Sequence, residues 1–144
     1  MIKAKRSLGQ NFLIDQNVID KIINIIDIKD RNVLEIGPGT GSLTQAIIDK
    51  NPKKLLVVEK DNDLASLLEK NFKNKIKIIN EDILKIDERL LDSETLTVFG
   101  NLPYNISTEI LCKWILNINN QNFWFDYLIL MFQKEVADRI IAEF

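Results

Sequence analysis

The sequence predicts an α/β fold, a mostly parallel sheet with helices on both faces. Short apolar runs alternate with segments of helical periodicity along the chain, which is the pattern of strands joined by right-handed helical crossovers. The run over 55–58 is continuously apolar, as expected for a strand that is buried on both sides. With 144 residues and 46% apolar side chains, the chain can build a core of its own. We therefore expect residues 1–144 to fold as one domain.

The first predicted element is a helix over residues 15–28, where apolar side chains recur at helical spacing and Asp15 is available as an N-cap. The residues on its predicted apolar face are Val18, Ile19, Ile22, Ile23 and Ile26. A short apolar strand over 32–36 follows, ends in glycines and leads into a second helix over 42–50.

The same alternation continues along the chain. An apolar run over 55–58 is stopped by Glu59, and a helix is expected over 62–71. The remaining predicted strands cover 76–79, 96–99 and 127–132, the remaining predicted helices cover 108–116 and 134–144, and the asparagine-rich stretch 117–122 is expected to be a surface loop. Ligands of such sheets bind beyond the carboxyl ends of the strands, so the residues that close each strand are the candidates for a site.

The composition excludes several chemistries. The chain has no histidine and one cysteine, which removes Ser-His-Asp and Cys-His nucleophilic machinery and leaves no expected metal site. Cys112 lies in an apolar helical pattern and is expected to be a small buried hydrophobic residue. No apolar run approaches the roughly 20 residues that cross a bilayer, and no apolar signal segment follows the N-terminus. We expect a cytoplasmic protein without membrane contact.

Charge is distributed unevenly along the chain. The net charge is −2, but residues 1–14 carry Lys3, Lys5 and Arg6 and no acid, which leaves −5 for the other residues. This basic N-terminal arm, residues 1–14, could contact phosphate. On charge alone, a solvated tail is the simpler interpretation.

A glycine-rich turn follows the first strand. Gly37, Gly39 and Gly41 are spaced by two, which lets the backbone turn sharply and approach a ligand closely. The turn is similar to the dinucleotide-binding fingerprint, but Ser42 stands where that fingerprint has glycine.

Two carboxylates follow the next two strands. Glu59 closes the second strand, where a carboxylate can accept hydrogen bonds from both hydroxyls of a ribose, and Asp82 follows the third, where one can accept from the amino group of adenine. Either acid alone is more often an ordinary solvated surface residue. Together with the glycine turn they describe an adenosine held at its sugar and base, which fits S-adenosylmethionine better than NAD.

The segment after the fourth strand combines a carboxamide, a proline and an aromatic ring. The Asn101 side-chain oxygen and the Leu102 carbonyl can accept hydrogen bonds from an exocyclic amine, Pro103 stiffens the backbone, and Tyr104 offers a face for a flat base. These groups predict methyl transfer to an amino-bearing base. The structural alternative is a strand end followed by a proline turn and a Ser/Thr helix cap.

On these motifs the chain resembles the ribosomal RNA adenine dimethyltransferase family, specifically its small-subunit branch. The matching segments are 5–13 (Lys-Arg-Ser-Leu-Gly-Gln-Asn-Phe-Leu), 35–41, Glu59, Asp82, 101–108 and 133–137 (Gln-Lys-Glu-Val-Ala). The resemblance implies a Rossmann-like class I S-adenosylmethionine-dependent methyltransferase core. Relatives continue with further strands and a small helical domain, so we expect a truncated core.

The resemblance also implies residue roles. Asn11 and Leu13 line the methionine side of the cofactor together with Gly37, Gln10 belongs to the same motif, and Asn101 lies at the junction of cofactor and target base. Tyr104 is expected to stack on a flipped adenine and Phe12 to cover its other face. The predicted cofactor-binding residues are Gln10, Asn11, Leu13, Gly37, Gly39, Gly41, Glu59, Lys60, Asp82, Ile83 and Asn101, and the predicted catalytic residues are Asn101, Leu102, Pro103 and Tyr104.

The expected function is transfer of methyl groups from S-adenosylmethionine to N6 of two adjacent adenines near the 3′ end of 16S rRNA. The expected partner is the immature 30S subunit during ribosome biogenesis, and the enzyme is expected to be a monomer. Three alternatives stay open: a 23S rRNA adenine dimethyltransferase conferring macrolide resistance, a non-catalytic small-subunit assembly factor, and an NAD-dependent oxidoreductase. Segments 8–13 and 37–41 favour the small-subunit branch.

Overall fold

The computed structural model describes residues 2–5, 12–118 and 123–143. Within these ranges the strands are β1 (Asn32–Ile36), β2 (Lys54–Val58), β3 (Lys77–Ile79), β4 (Leu96–Asn101) and β5 (Phe125–Met131). The helices are α1 (Gln16–Ile23), α2 (Ser42–Asp49), α3 (Asn62–Phe72), α4 (Ser107–Leu116) and α5 (Lys134–Ile140). Short 3₁₀ turns lie at Lys73–Lys75, Ile83–Lys85 and Glu88–Leu90.

The strands form one parallel sheet in the order β3-β2-β1-β4-β5, which confirms the predicted parallel α/β fold. The chain runs outward from β1 through β2 to β3, then returns to place β4 on the other side of β1. Ile36, the last residue of β1, lies beside Val58 of β2 and Gly100 of β4. The direction of winding therefore reverses between β1 and β4, where ligand clefts of open parallel sheets form.

Helices cover both faces of the sheet. On one face, α1, α2 and α3 bury an apolar stripe that includes Ile19, Ile47 and Leu68 against β-strand residues such as Val57 and Phe99. On the other face α4 packs onto the sheet; the core residues of that layer include Ile110, Trp114, Leu34, Leu56 and Val98. The central strands β1 and β4 are buried on both sides, which explains why apolar residues predominate in them.

The first helix is shorter than the predicted 15–28 and ends at Ile23. The side-chain amide of Asn24 donates to the Asp20 carbonyl at 2.7 Å, so a side chain takes up a carbonyl at the end of the helix. Asp15 is the N-cap, as predicted, and accepts from two backbone N–H groups of the first turn at 2.9 and 3.3 Å. Val18 is 40% exposed, so the apolar face is narrower than predicted.

Three other predicted bounds differ from the structure by more than one residue. β4 continues through Asn101, β5 covers Phe125–Met131 instead of 127–132, and α5 ends at Ile140 instead of 144. Phe144 and residues 119–122 of the predicted asparagine-rich loop lie outside the described residues. The extension of β4 matters for function because it makes Asn101 part of the sheet.

Cys112 is exposed, so the prediction of a buried cysteine is wrong. Ile110 and Trp114 are four residues apart on α4 and are both fully buried against the sheet. Residue 112 lies about half a turn from each and therefore faces away from the sheet.

No described helix combines the length and the apolar character needed to span a membrane.

Candidate functional site

A cleft opens at the carboxyl ends of the strands, across the reversal between β1 and β4. Each of the first four strands contributes lining residues at or just beyond its last position. The described residues that line it are Phe12, Ile36, Gly37, Gly39, Val58, Glu59, Lys60, Leu64, Glu81, Asp82, Ile83, Leu84, Asn101, Pro103, Asn105 and Ile106. The lining combines apolar side chains with the carboxylates of Glu59, Glu81 and Asp82, which suits a ligand with flat apolar and hydroxyl-bearing parts.

The glycine turn after β1 allows the backbone to pass very close to β4. Gly37 has φ +69°, and a Cβ added there would lie 2.2 Å from the Asn101 carbonyl oxygen. A Cβ at Gly39, φ +58°, would lie 3.1 Å from Phe12 Cδ1. A larger side chain at either position would therefore press on Asn101 or Phe12, which line the cleft. Gly41 directly precedes α2 and lies against Phe72. It is not among the residues that line the cleft.

Glu59 lies one residue beyond β2 with a largely buried side chain. Its Oε1 accepts a hydrogen bond from the backbone N–H of Asp61 at 2.8 Å. Burial, only partly offset by this hydrogen bond, raises the pKa of Glu59 to about 7. Near neutral pH the group therefore exists in both protonation states, and a ligand that donates hydrogen bonds to it would favour the carboxylate.

Asp82 and Lys60 form an ion pair across the ends of β3 and β2. Lys60 Nζ lies 3.1 Å from Asp82 Oδ2, while Asp82 Oδ1 accepts from the backbone N–H of Leu84 at 3.0 Å. Burial alone would raise the pKa of Asp82, but the hydrogen bonds from Leu84 and Lys60 outweigh it and hold the pKa below its usual value. Asp82 is thus a fixed carboxylate at the start of the turn Ile83–Lys85.

Of the four residues from Asn101, the last of β4, to Tyr104, only some line the cleft. Asn101 and Pro103 line the cleft. Leu102 is 5% exposed and packs into the apolar layer beneath α4. Tyr104 is 44% exposed and lies outside the described lining. Its ring is therefore available to a partner that approaches from solvent.

Two described residues of the N-terminal arm, Lys5 and Leu13, contact the rest of the domain. Lys5 Nζ lies 2.5 Å from Asp61 Oδ2 and 3.3 Å from Asp63 Oδ2. Although burial alone would raise it, the pKa of Asp61 is held below its usual value by Lys5 and by two backbone N–H groups of α3. Leu13 packs against the apolar core rather than lining the cleft. Lys5 is thus ion-paired at the start of α3 while its side chain stays exposed to solvent, and the interpretation of the whole arm as a solvated tail stays a prediction.

Glu35 is a second buried carboxyl group beside the site. It lies on β1, two residues before Gly37, and its Oε2 accepts from the Thr44 hydroxyl at 2.6 Å. Burial raises the pKa of Glu35 to about 8, against the lowering effect of the Thr44 hydrogen bond. Glu35 is therefore mostly protonated at neutral pH.

The structure brings most of the predicted site residues to one cleft. Those that line it are Gly37, Gly39, Glu59, Lys60, Asp82, Ile83, Asn101 and Pro103. Those that do not are Leu13, Gly41, Leu102 and Tyr104. Gln10 and Asn11 lie outside the described residues. The roles assigned to all these residues stay predictions.

Sequence reasoning missed several lining residues, chiefly apolar ones. Ile36 and Val58 are the last residues of their strands, and that position was a usable signal. Leu64 and Ile106 carried no local signal, because each reaches the cleft only through the packing of its helix or loop. The described residues include no group of three or more His, Cys, Asp or Glu side chains arranged to hold a metal ion.

Curated relatives resemble this chain along nearly all of its length. A ribosomal RNA small subunit methyltransferase A from Pelagibacter ubique is 67% identical over 143 residues, covering 99% of this chain and 54% of that protein. The protein of the same name from the Wolbachia of Culex pipiens is 45% identical over 147 residues, covering 99% and 54%. The chain thus spans about half the length of these relatives.

Solved structures resemble it in fold as well. A dimethyladenosine transferase from Plasmodium falciparum superposes with a TM-score of 0.76 at 31% identity, covering 92% of this chain and 47% of that one. The 23S rRNA methyltransferase ErmE gives a TM-score of 0.74 at 27% identity, covering 89% and 50%.

The family whose sequence pattern matches is described as ribosomal RNA adenine dimethylase, and the match extends over residues 1–144. This match covers the whole chain, including the strand ends that form the cleft. The chain therefore belongs to the ribosomal RNA adenine dimethylase family.

Proposed function

We propose that this chain forms the cofactor-binding core of an rRNA (adenine-N6,N6)-dimethyltransferase. Its methyl donor is S-adenosylmethionine, and its substrate is a pair of adjacent adenines near the 3′ end of 16S rRNA in the immature small subunit. The observation that carries this proposal is the convergence of four strand ends on one cleft in a chain of this family. The names of its curated relatives support the small-subunit substrate.

The residues of the cleft fit S-adenosylmethionine. Glu59 provides a buried carboxyl group suited to two ribose hydroxyls, and Asp82 provides a fixed acceptor for the adenine amino group. Ile36, Val58 and Ile83 give an apolar wall for the flat base. When bound, S-adenosylmethionine supplies an activated methyl group on a positively charged sulfur.

The groups at the end of β4 and directly after it would prepare the target amine. The N6 nitrogen of adenine shares its lone pair with the ring, which makes it a poor nucleophile. The Asn101 side-chain oxygen and the Leu102 carbonyl can accept its two hydrogens and favour a pyramidal nitrogen. Stacking of the flipped base on Tyr104 would align that nitrogen, so that positioning rather than a strong base carries the reaction. The amine proton can then pass to water.

Methyl incorporation tests the proposal. Since this chain spans about half of its relatives, we would assay both the chain and a chimera in which it replaces the matching 143 residues of the Pelagibacter ubique relative. We expect labelled methyl groups to enter under-methylated small subunits. Incorporation only into naked large-subunit RNA would favour the 23S alternative, and no incorporation by the chimera would favour an assembly factor.

Two variants separate catalysis from binding. In the chimera, Asn101→Ala and Tyr104→Ala should abolish methyl transfer and leave S-adenosylmethionine binding largely intact. Tyr127→Ala is the matched control, because Tyr127 is exposed to a similar extent, 46% against 44%, but lies on β5. Normal methylation by both site variants would contradict the roles assigned to Asn101 and Tyr104.

The monomeric state and the cytoplasmic location stay predictions.

A further inference from the structure

A lysine on α4 reaches into the segment that follows β3. Lys113 Nζ donates to the Ile83 carbonyl at 2.7 Å, to the Ile86 carbonyl, and to Glu88 Oε1 at 2.6 Å. An ammonium group has three hydrogens to donate and no acceptor, so these three acceptors satisfy it completely. A single side chain of α4 thus donates hydrogen bonds to three acceptors within residues 83–88.

The hydrogen bonds of Lys113 lie in largely buried, polar surroundings. The Glu88 side chain has no exposed surface, and that of Lys113 is 21% exposed. Trp114, the next residue on α4, donates its indole N–H to the same Glu88 oxygen at 2.7 Å. Charge-assisted hydrogen bonds in such surroundings are stronger than neutral ones, and loss of one partner leaves the other charge buried. The segment 83–88 therefore has little freedom to move relative to α4.

The first residues of segment 83–88 also form part of the wall of the cleft. Ile83 and Leu84 line it, and Asp82 caps the turn Ile83–Lys85 from the cleft side. Lys113 is absent from the lining and holds the carbonyls of the same turn from the α4 side. The turn Ile83–Lys85 is thus held by the Asp82 carboxylate, which lines the cleft, and by the Lys113 ammonium, which does not.

We propose that Lys113 is a positioning residue for adenine recognition: its hold on the Ile83 and Ile86 carbonyls sets the orientation in which Asp82 meets the base. This inference rests on the proposed function, in which Asp82 accepts from the adenine amino group. The proposal also means that selectivity for adenine, over a base that carries oxygen in place of the amino group, depends on a residue outside the cleft.

The test compares two ligands that differ in one group. The chain is titrated calorimetrically with S-adenosylhomocysteine and with its inosine analogue, in which the amino group is replaced by oxygen. Lys113→Met should reduce the preference for the adenine ligand at least about fivefold, the lower end of typical coupling between sites. The double variant Lys113→Met/Glu88→Gln removes both charges, avoids an unpaired buried carboxylate, and should reduce the preference equally.

Lys54→Met is the matched control. Lys54 makes a 2.6 Å ion pair with the largely buried Asp92, further along the same β3–β4 connection and away from the cleft. This variant should keep the ligand preference of the unmodified chain. If Lys113→Met weakens both ligands in the same proportion, or neither, Lys113 has only a structural role and the inference is overturned. If the unmodified chain binds neither ligand, the proposed cofactor site itself fails.

Discussion

Replacement of Glu35 by glutamine should flatten the dependence of folding stability on pH. Glu35 is 1% exposed, and burial raises its pKa from 4.5 to about 8. Below pH 4.5 the carboxyl is protonated in both the folded and unfolded chain, and its full contribution to stability is present. As the pH rises toward about 8, the unfolded chain ionises first, so the stability of the folded state falls.

The size of the effect follows from the pKa. One unit corresponds to 1.36 kcal/mol, so between pH 5 and 7.5 ionisation of Glu35 in the unfolded chain should cost roughly 3 kcal/mol of stability. Glutamine cannot ionise and mimics the protonated acid, since it can still accept from the Thr44 hydroxyl. The variant should keep the smaller pH dependence that comes from Glu59, whose pKa is also raised.

Urea unfolding followed by circular dichroism at pH 5, 6, 7 and 7.5 measures this difference. Asp61 and Asp82, whose pKa values are lowered, change protonation below this range and do not contribute. Thr44→Val should leave the slope in this range nearly unchanged, because loss of its hydrogen bond raises the pKa of Glu35 further and the folded-state carboxyl is already mostly protonated here. Equal slopes for the unmodified chain and Glu35→Gln would refute the assignment of a buried, protonated Glu35.

Three further predictions concern the cleft and its supports. Gly37→Ala should cost at least about 2 kcal/mol of stability and abolish binding of S-adenosylmethionine, because a Cβ there would lie 2.2 Å from a β4 carbonyl oxygen at positive φ; calorimetry that finds normal affinity would contradict this. Asp61→Ala should lower the free energy of unfolding by about 1–2 kcal/mol, and Asp15→Ala should lower it by less. Both residues cap helices, but only Asp61 is buried and paired with Lys5. Equal losses in urea unfolding would argue against the Lys5 contact. The affinity for S-adenosylmethionine should rise several-fold from pH 6 to 8, since ribose hydroxyls donate to the Glu59 carboxylate and its pKa is about 7; a flat titration would exclude that role.

The fold was predictable because its determinants are local. The strands are marked by short apolar runs, and Gly37, Glu59 and Asn101 stand at or directly after the ends of β1, β2 and β4, so the parallel order placed them at one edge of the sheet. The position of Asn101 in the cleft followed from the same rule, even though β4 proved two residues longer than predicted.

The contacts that were missed are long-range and polar. The Lys5–Asp61 pair joins an N-terminal arm to a helix 56 residues later, and neither residue has a local pattern that indicates the other. Glu88 has no local sequence pattern that indicates burial, yet its side chain is fully buried and paired with Lys113 and Trp114. Cys112 shows the opposite error, since an apolar sequence context did not indicate which face of α4 it occupies.

The most direct test of the account is calorimetric titration of the chain at pH 8 with S-adenosylmethionine and with NAD. We predict binding of S-adenosylmethionine, with Glu59→Gln weakening it at least about tenfold through loss of charge-assisted hydrogen bonds. Glu69→Gln, an exposed change on α3 outside the described lining, should have no effect. Binding of NAD alone, or equal S-adenosylmethionine affinity in Glu59→Gln, would contradict the cleft assigned to these strand ends.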